Sequence, residues 1–163
     1  MGAAGTMASM IGRLHHLILD CPDPLALAAF YSELLGQPIT YRSDDFVVVA
    51  ENDTTSGLAF QLAPDHQPPD WPDPARPQQM HFDVMVEDVA ASGPRVLALG
   101  ARKLKGQDVY ADPAGHPFCL IRRPAWAPPI PPTCTRSGWA AASGTCARPS
   151  SSSPTPTRAG CPP

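Results

Sequence analysis

From Leu14 to Asp20 the side chains alternate, with Leu14, His16, Ile18 and Asp20 on one face and His15, Leu17 and Leu19 on the other. A period of two predicts a strand. Asp23 follows as an N-cap, Pro24 suits the first helical position, and Gly36 suits the stop. Between them Leu27, Phe30, Tyr31, Leu34 and Leu35 form an apolar stripe, which predicts a helix with Phe30 and Tyr31 in the core. Apolar runs at 38–41, 46–50 and 58–63 predict three more strands, broken by Ser-Asp-Asp and Asn-Asp-Thr-Thr-Ser-Gly turns.

The order β-α-β-β-β then recurs. Strands are predicted at 79–86, 101–104, 107–111 and 117–122, with a helix at 88–99 that Gly93-Pro94 weakens. In both halves a His (His16, His81) is followed seven residues later by an Asp (Asp23, Asp88) that opens the helix, and the helix ends in Leu-Gly. Each half closes on a similar strand, around Phe60-Gln61-Leu62 and Phe118-Cys119-Leu120. A repeat of this length sets the fold class as α+β. Two βαβββ modules are expected to form a curved mixed sheet around a central cavity, with the helices on its convex side. By alternation Phe82, Val84 and Val86 pack on the helix, leaving His81, Asp83 and Met85 on the concave face. Phe60, Leu62, Phe118 and Leu120 point inward, leaving Gln61 and Cys119 free. One polar side chain from each of four strands, His16, Gln61, His81 and Cys119, is thus expected to face the cavity.

Composition divides the chain. Six of the fifteen residues from Pro64 to Gln78 are Pro, a stiff linker between modules at 13–63 and 79–124. Residues 125–163 hold nine Pro, six Ser, five Thr and three Cys, with no Asp, Glu or Lys. Such a stretch cannot bury enough apolar surface to fold and is expected to be disordered, a wrong-frame or fused tail. Residues 1–12 lack a basic region and a long apolar run, so a leader with Met10 as the native start is expected rather than a signal peptide. The net charge of −3, or −6 over residues 1–124, excludes a nucleic-acid binder, and no apolar run is long enough to span a membrane. Cys21 and Cys119, the two cysteines before the tail, suit a reducing cytoplasm.

The repeat, together with Asp112-Pro-Ala-Gly-His-Pro-Phe-Cys119, resembles the vicinal oxygen chelate superfamily over about residues 13–124. That superfamily includes glyoxalase I, bleomycin-resistance proteins and extradiol dioxygenases. The stretch is most similar to the bacterial glyoxalase-like subgroup with a DPxGxxFC motif. In the metal-using members four equivalent strand positions supply the ligands, typically His, Glu or Gln, His and Glu. The resemblance carries these roles onto His16, Gln61 and His81, and puts Cys119 where a Glu usually stands. A thiolate favours borderline metals such as zinc over manganese or magnesium.

What the resemblance implies is a protein acting on, or binding, a small molecule in a concave pocket. As an enzyme it would be a metal-dependent lyase, isomerase or dioxygenase type, the metal (zinc, nickel, iron or manganese) polarising a substrate oxygen and stabilising an enediolate or similar anion. Asp83 would be the proton carrier. Glyoxalase I activity itself is not expected, because its carboxylate base position is Cys119. The alternative is a metal-free, drug-sequestering protein whose aromatic lining (Phe46, Trp71 and Tyr110) holds an apolar or cationic ligand. Asp20, Trp71, Tyr110 and His116 are the remaining pocket residues, although Trp71 could equally anchor the linker and His116 be a solvated loop residue. A homodimer is the expected assembly, since many relatives pair modules across subunits.

Overall fold

The computed structural model describes residues 13–130. The leader expected at 1–12 and residues 131–163 of the expected tail lie outside them. Ten elements run in the anticipated order: β1 (His16–Cys21), α1 (Pro24–Leu35), β2 (Ile39–Arg42), β3 (Phe46–Val49), β4 (Gly57–Leu62), β5 (Phe82–Val86), α2 (Val89–Ala98), β6 (Arg102–Lys103), β7 (Val109–Ala111) and β8 (Pro117–Arg122). The strands divide into two four-stranded mixed sheets, β1-β4-β3-β2 and β5-β8-β7-β6. In each, the first strand of the module pairs parallel with the last, and the other pairings are antiparallel.

Both helices start as their caps dictate. The Asp23 carboxylate accepts from Ala26 N–H, and Asp88 does the same for Ala91 N–H, each at 2.9 Å. Gly36 closes α1 in the left-handed conformation, at φ 66°. Helix α2 persists through Pro94. Packing rather than propensity holds it there, for a Cβ on Gly93 would come within 2.8 Å of the Tyr110 hydroxyl.

One buried cluster serves both modules. Tyr31 of α1 stacks on Phe60 of the first sheet (ring centroids 5.3 Å) and sets its edge against Phe82 of the second (6.1 Å). Phe30 meets Phe118 at 6.1 Å. Helix α1 therefore packs against both sheets, and on the face of the first sheet turned away from it Val48, Ala50 and Ala59 form a second, smaller buried cluster. The alternation holds for Phe60, Phe118 and Leu120, which are buried, and for His81, Asp83 and Met85, which are exposed. Leu62 departs from it: the last residue of β4 is exposed, beyond the cover of α1.

Asp112 joins the modules below this core. It is fully buried, and its carboxylate accepts four hydrogen bonds. Tyr31 Oη and His116 Nδ1 reach Oδ2, both at 2.9 Å, while the backbone N–H groups of Ala114 and His116 reach Oδ1 at 2.9 and 3.0 Å. The proline linker docks on the same turn, with Pro68 so close to Gly115 (φ 98°) that no Cβ fits there. The first part of the segment expected to be disordered is held as well. Arg123 donates to Ala127 O at 2.6 Å, and Ile130 N–H donates to Glu87. That N–H and Arg123 hold the Glu87 carboxyl below its usual range.

Two buried acids near this junction hold their protons above the ordinary range. Burial, reinforced by the neighbouring Asp112, Asp23 and Asp20 carboxylates, pushes the Cys21 thiol up to about 11. Burial and Asp112 likewise raise the Tyr31 phenol well above its ordinary value. Above pH 9 the unfolded chain binds fewer protons than the native state, so stability falls as pH rises. Cys21 alone is expected to contribute about 2 kcal/mol of that loss between pH 9 and 11. Urea midpoints across that range should fall steadily, and Cys21→Ala should flatten the part of the slope that begins at pH 9; an unchanged slope would contradict this.

Candidate functional site

The open face of the second sheet gathers three potential metal donors. Asp83 on β5 stands directly opposite Cys119 on β8. His81 lies two residues before Asp83, so strand alternation turns it to the same face. One donor atom from each of His81, Asp83 and Cys119 lies within 4.8 Å of the other two. His81 Nε2 is 3.9 Å from Asp83 Oδ1, too far for a hydrogen bond. The other side of the ring is held, since the Gln78 carboxamide lies 3.4 Å from His81 Nδ1. Gln78 Oε1 is buried without a partner, so this amide can turn over to accept from Nδ1 and leave Nε2 to bind an ion.

The Cys119 thiol is raised by burial and by the Asp83 and Asp108 carboxylates, against a smaller opposing pull from Lys103. It is therefore protonated at neutral pH and no free nucleophile. A divalent cation between the donors would reverse that balance, because its charge dominates its surroundings and deprotonates a coordinating thiol.

The first sheet does not mirror this arrangement. Asp20 stands opposite Gln61, as Asp83 stands opposite Cys119, but the residue on the same ladder position as His81 is Ile18. His16 lies four residues before Asp20 on β1, or about 13 Å at the usual rise of a strand. Gly57 N–H donates to its Nδ1 at 3.3 Å, and its ring lies 3.7 Å from that of His15. Burial and His15 lower its basicity, which keeps His16 a neutral ring with one nitrogen occupied. His16 and Gln61 are thus brought neither to each other nor to His81 and Cys119 by the strand ladders.

The other anticipated pocket residues are dispersed. Asp20 is exposed on the open face of the first sheet. Trp71 donates from Nε1 to Lys105 O at 2.8 Å and anchors the linker. Tyr110 is buried between α2 and Phe118, its ring stacked on Phe118 at 5.8 Å. His116 is tied to Asp112, with its ring 4.8 Å from that of His66. Asp83 was legible as a neighbour of His81; its pairing with Cys119 needs the β5–β8 register. Gln78, at the end of the linker, carries no sequence signal of its contact with His81. Two surface recesses, one near Arg13–His15 and Thr54–Ser56 and one near Asp88–Ala90 and Arg122, lie away from the donor cluster.

Both open faces carry apolar side chains. On the first, Ile18, Ala59, Val48 and Tyr41 are in register across all four strands; Ala59 and Val48 are buried, and Ile18 and Tyr41 at the ends of the row are 48% and 44% exposed. On the second, Met85 and Ile121 are paired neighbours, 40% and 37% exposed. No helix among the described residues is long and apolar enough to cross a membrane.

A family model described as a glyoxalase-like domain matches residues 16–121. Among solved structures, the chain is similar to a glyoxalase-related enzyme from Fulvimarina pelagi, with a TM-score of 0.52 and 22% identity over 71% of this chain and 91% of that one. It is also similar to a glyoxalase/bleomycin resistance protein/dioxygenase family enzyme from Burkholderia phytofirmans, with a TM-score of 0.53 and 17% identity over 68% and 98% of the two chains. At these identities the likeness is one of fold. Among curated proteins, none matches the chain.

Proposed function

The chain belongs to the glyoxalase-like domain family, and from that premise we propose that it acts on a small oxygenated molecule at the open face of its second sheet, with a divalent metal. The observation that carries this reading is the His81, Asp83 and Cys119 cluster. Imidazole, carboxylate and thiol are all metal-binding groups, and these three residues would hold the ion. Bound there, it supplies Lewis acidity toward a substrate oxygen. Gln78 orients His81, and Met85 and Ile121 offer an apolar floor beside the donors. A second copy of the chain closes the site in this reading, its apolar row at Ile18 and Tyr41 covering what one chain leaves open.

A metal-free binding protein is the other reading, favoured by the half-exposed apolar residues of both open faces. A screen of α-keto aldehydes, catechols and hydroxamates separates the two. The account expects turnover or binding that is lost after chelation and in His81→Ala, by a protein that is dimeric in solution. Binding that survives both treatments would establish the metal-free reading instead.

A further inference from the structure

The resemblance implies donors from both modules, but the ladders of this chain leave His16 and Gln61 apart and bring Asp83 to Cys119. We propose that His81, Asp83 and Cys119 form a self-sufficient three-donor site within the second module, selective for a thiophilic ion of the zinc or cobalt kind over magnesium or manganese. This rests on the metal-assisted reading above and goes beyond it in making the three donors sufficient without the first module and in naming the class of ion.

Three features support the assignment. First, the cross-strand pairing is structural: Asp83 and Cys119 sit at partner positions of a parallel ladder between two strands anchored in the core by Val84, Phe118 and Leu120. Their side chains therefore emerge side by side. Second, His81 is held on its Nδ1 side by Gln78 with Nε2 toward Asp83, so its lone pair can be directed at the same point. Third, the donor chemistry discriminates. Magnesium and manganese prefer carboxylate, carbonyl and water oxygens, and here one oxygen donor stands against a sulfur and a nitrogen. Zinc and cobalt accept that mixture, and three protein donors leave room for water or a substrate oxygen. On this assignment Asp83 holds the ion rather than moving a proton.

The first module fails the same test on its own residues. Ile18 replaces the imidazole and Gln61 the thiol, leaving Asp20 alone as a strong donor, and His16 is engaged with Gly57.

The assignment is tested by cobalt(II) titration of the full chain, with Cys134, Cys146 and Cys161 changed to Ser so that tail thiols do not contribute. A near-ultraviolet thiolate-to-cobalt band should grow to one equivalent and should vanish in Cys119→Ser. Affinity should fall at least about 10-fold in Asp83→Ala and in His81→Ala. It should be unchanged in His16→Ala and in Gln61→Ala. Zinc should displace the cobalt, and a hundredfold excess of magnesium or manganese should not. Circular dichroism of each variant establishes that it is folded. Cobalt bound with no thiolate band, or lost in His16→Ala or Gln61→Ala, would overturn the three-donor site and leave metal assistance standing. No cobalt bound at all would overturn both.

Discussion

Asp112→Ala is expected to lower the unfolding free energy by about 3–5 kcal/mol, the range for leaving buried polar partners uncompensated. The carboxylate is fully buried and accepts from Tyr31, from His116 Nδ1 and from two backbone N–H groups. Its removal strands all four donors and loosens the contact between α1 and the β7–β8 turn. Asp112→Asn is a milder change, because its carbonyl oxygen still serves the two backbone N–H groups. Its amide can donate to the Tyr31 oxygen and to a neutral His116. About 1–2 kcal/mol is expected there. Urea unfolding of the two variants checks the order. A loss under 1 kcal/mol in Asp112→Ala would mean that the junction does not hold the modules together. Since domains are stable by only about 5–15 kcal/mol, the Ala variant is expected near the edge of folding at 37 °C.

The second large effect sets two adjacent residues against each other. Phe118 is completely buried and packs against Phe30, Tyr110 and, across the ladder, Phe82. Truncation to Ala leaves a cavity and should cost about 3–5 kcal/mol. Cys119, one residue on, points to the open face and should tolerate Ala within about 1 kcal/mol, while the cobalt signal disappears. This contrast separates what β8 does for the fold from what it does for the site. Equal losses at the two positions would mean that the register of β8 is misplaced by one residue.

Much of the fold could be read from periodicity and caps. Asp23 and Asp88 marked both helix starts, and alternation placed Phe60, Phe118, Val84 and Leu120 in the core. The repeat revealed two modules of identical element order. It did not reveal that the strands form two sheets, because inter-sheet pairing is a matter of tertiary geometry with no local signature. Leu62 was placed by alternation alone, and the end of a strand escapes the cover that alternation assumes.

The site was legible in part, and the reason is specific. Aligning the halves on their helix caps equates His16 with His81. Aligning them on Phe60 and Phe118 equates Ile18 with His81 instead. The sequence run from the strand partner of that Phe to the cap is four residues in the first module and six in the second, Leu19 to Asp23 against Phe82 to Asp88. Sequence spacing cannot show which anchor the hydrogen-bonded ladder follows. For the same reason Asp83 read as a base near His81, whereas the ladder makes it the partner of Cys119. Trp71 and Tyr110 share an aromatic character that suits a pocket equally well as an anchor or a core, and the sequence does not show that Trp71 bonds to Lys105 O or that Tyr110 stacks on Phe118.

The most direct test of the metal-assisted account is the metal content of the full chain by elemental mass spectrometry. The protein, with Cys134, Cys146 and Cys161 again changed to Ser, should be purified without a metal-affinity column, and measured as isolated and after chelation and reloading with zinc. The account predicts close to one zinc per chain after reloading, and a protein left empty when His81 and Cys119 are both replaced by Ala. Wild-type protein that takes up no metal, or a double variant that holds as much as the wild type, would contradict it.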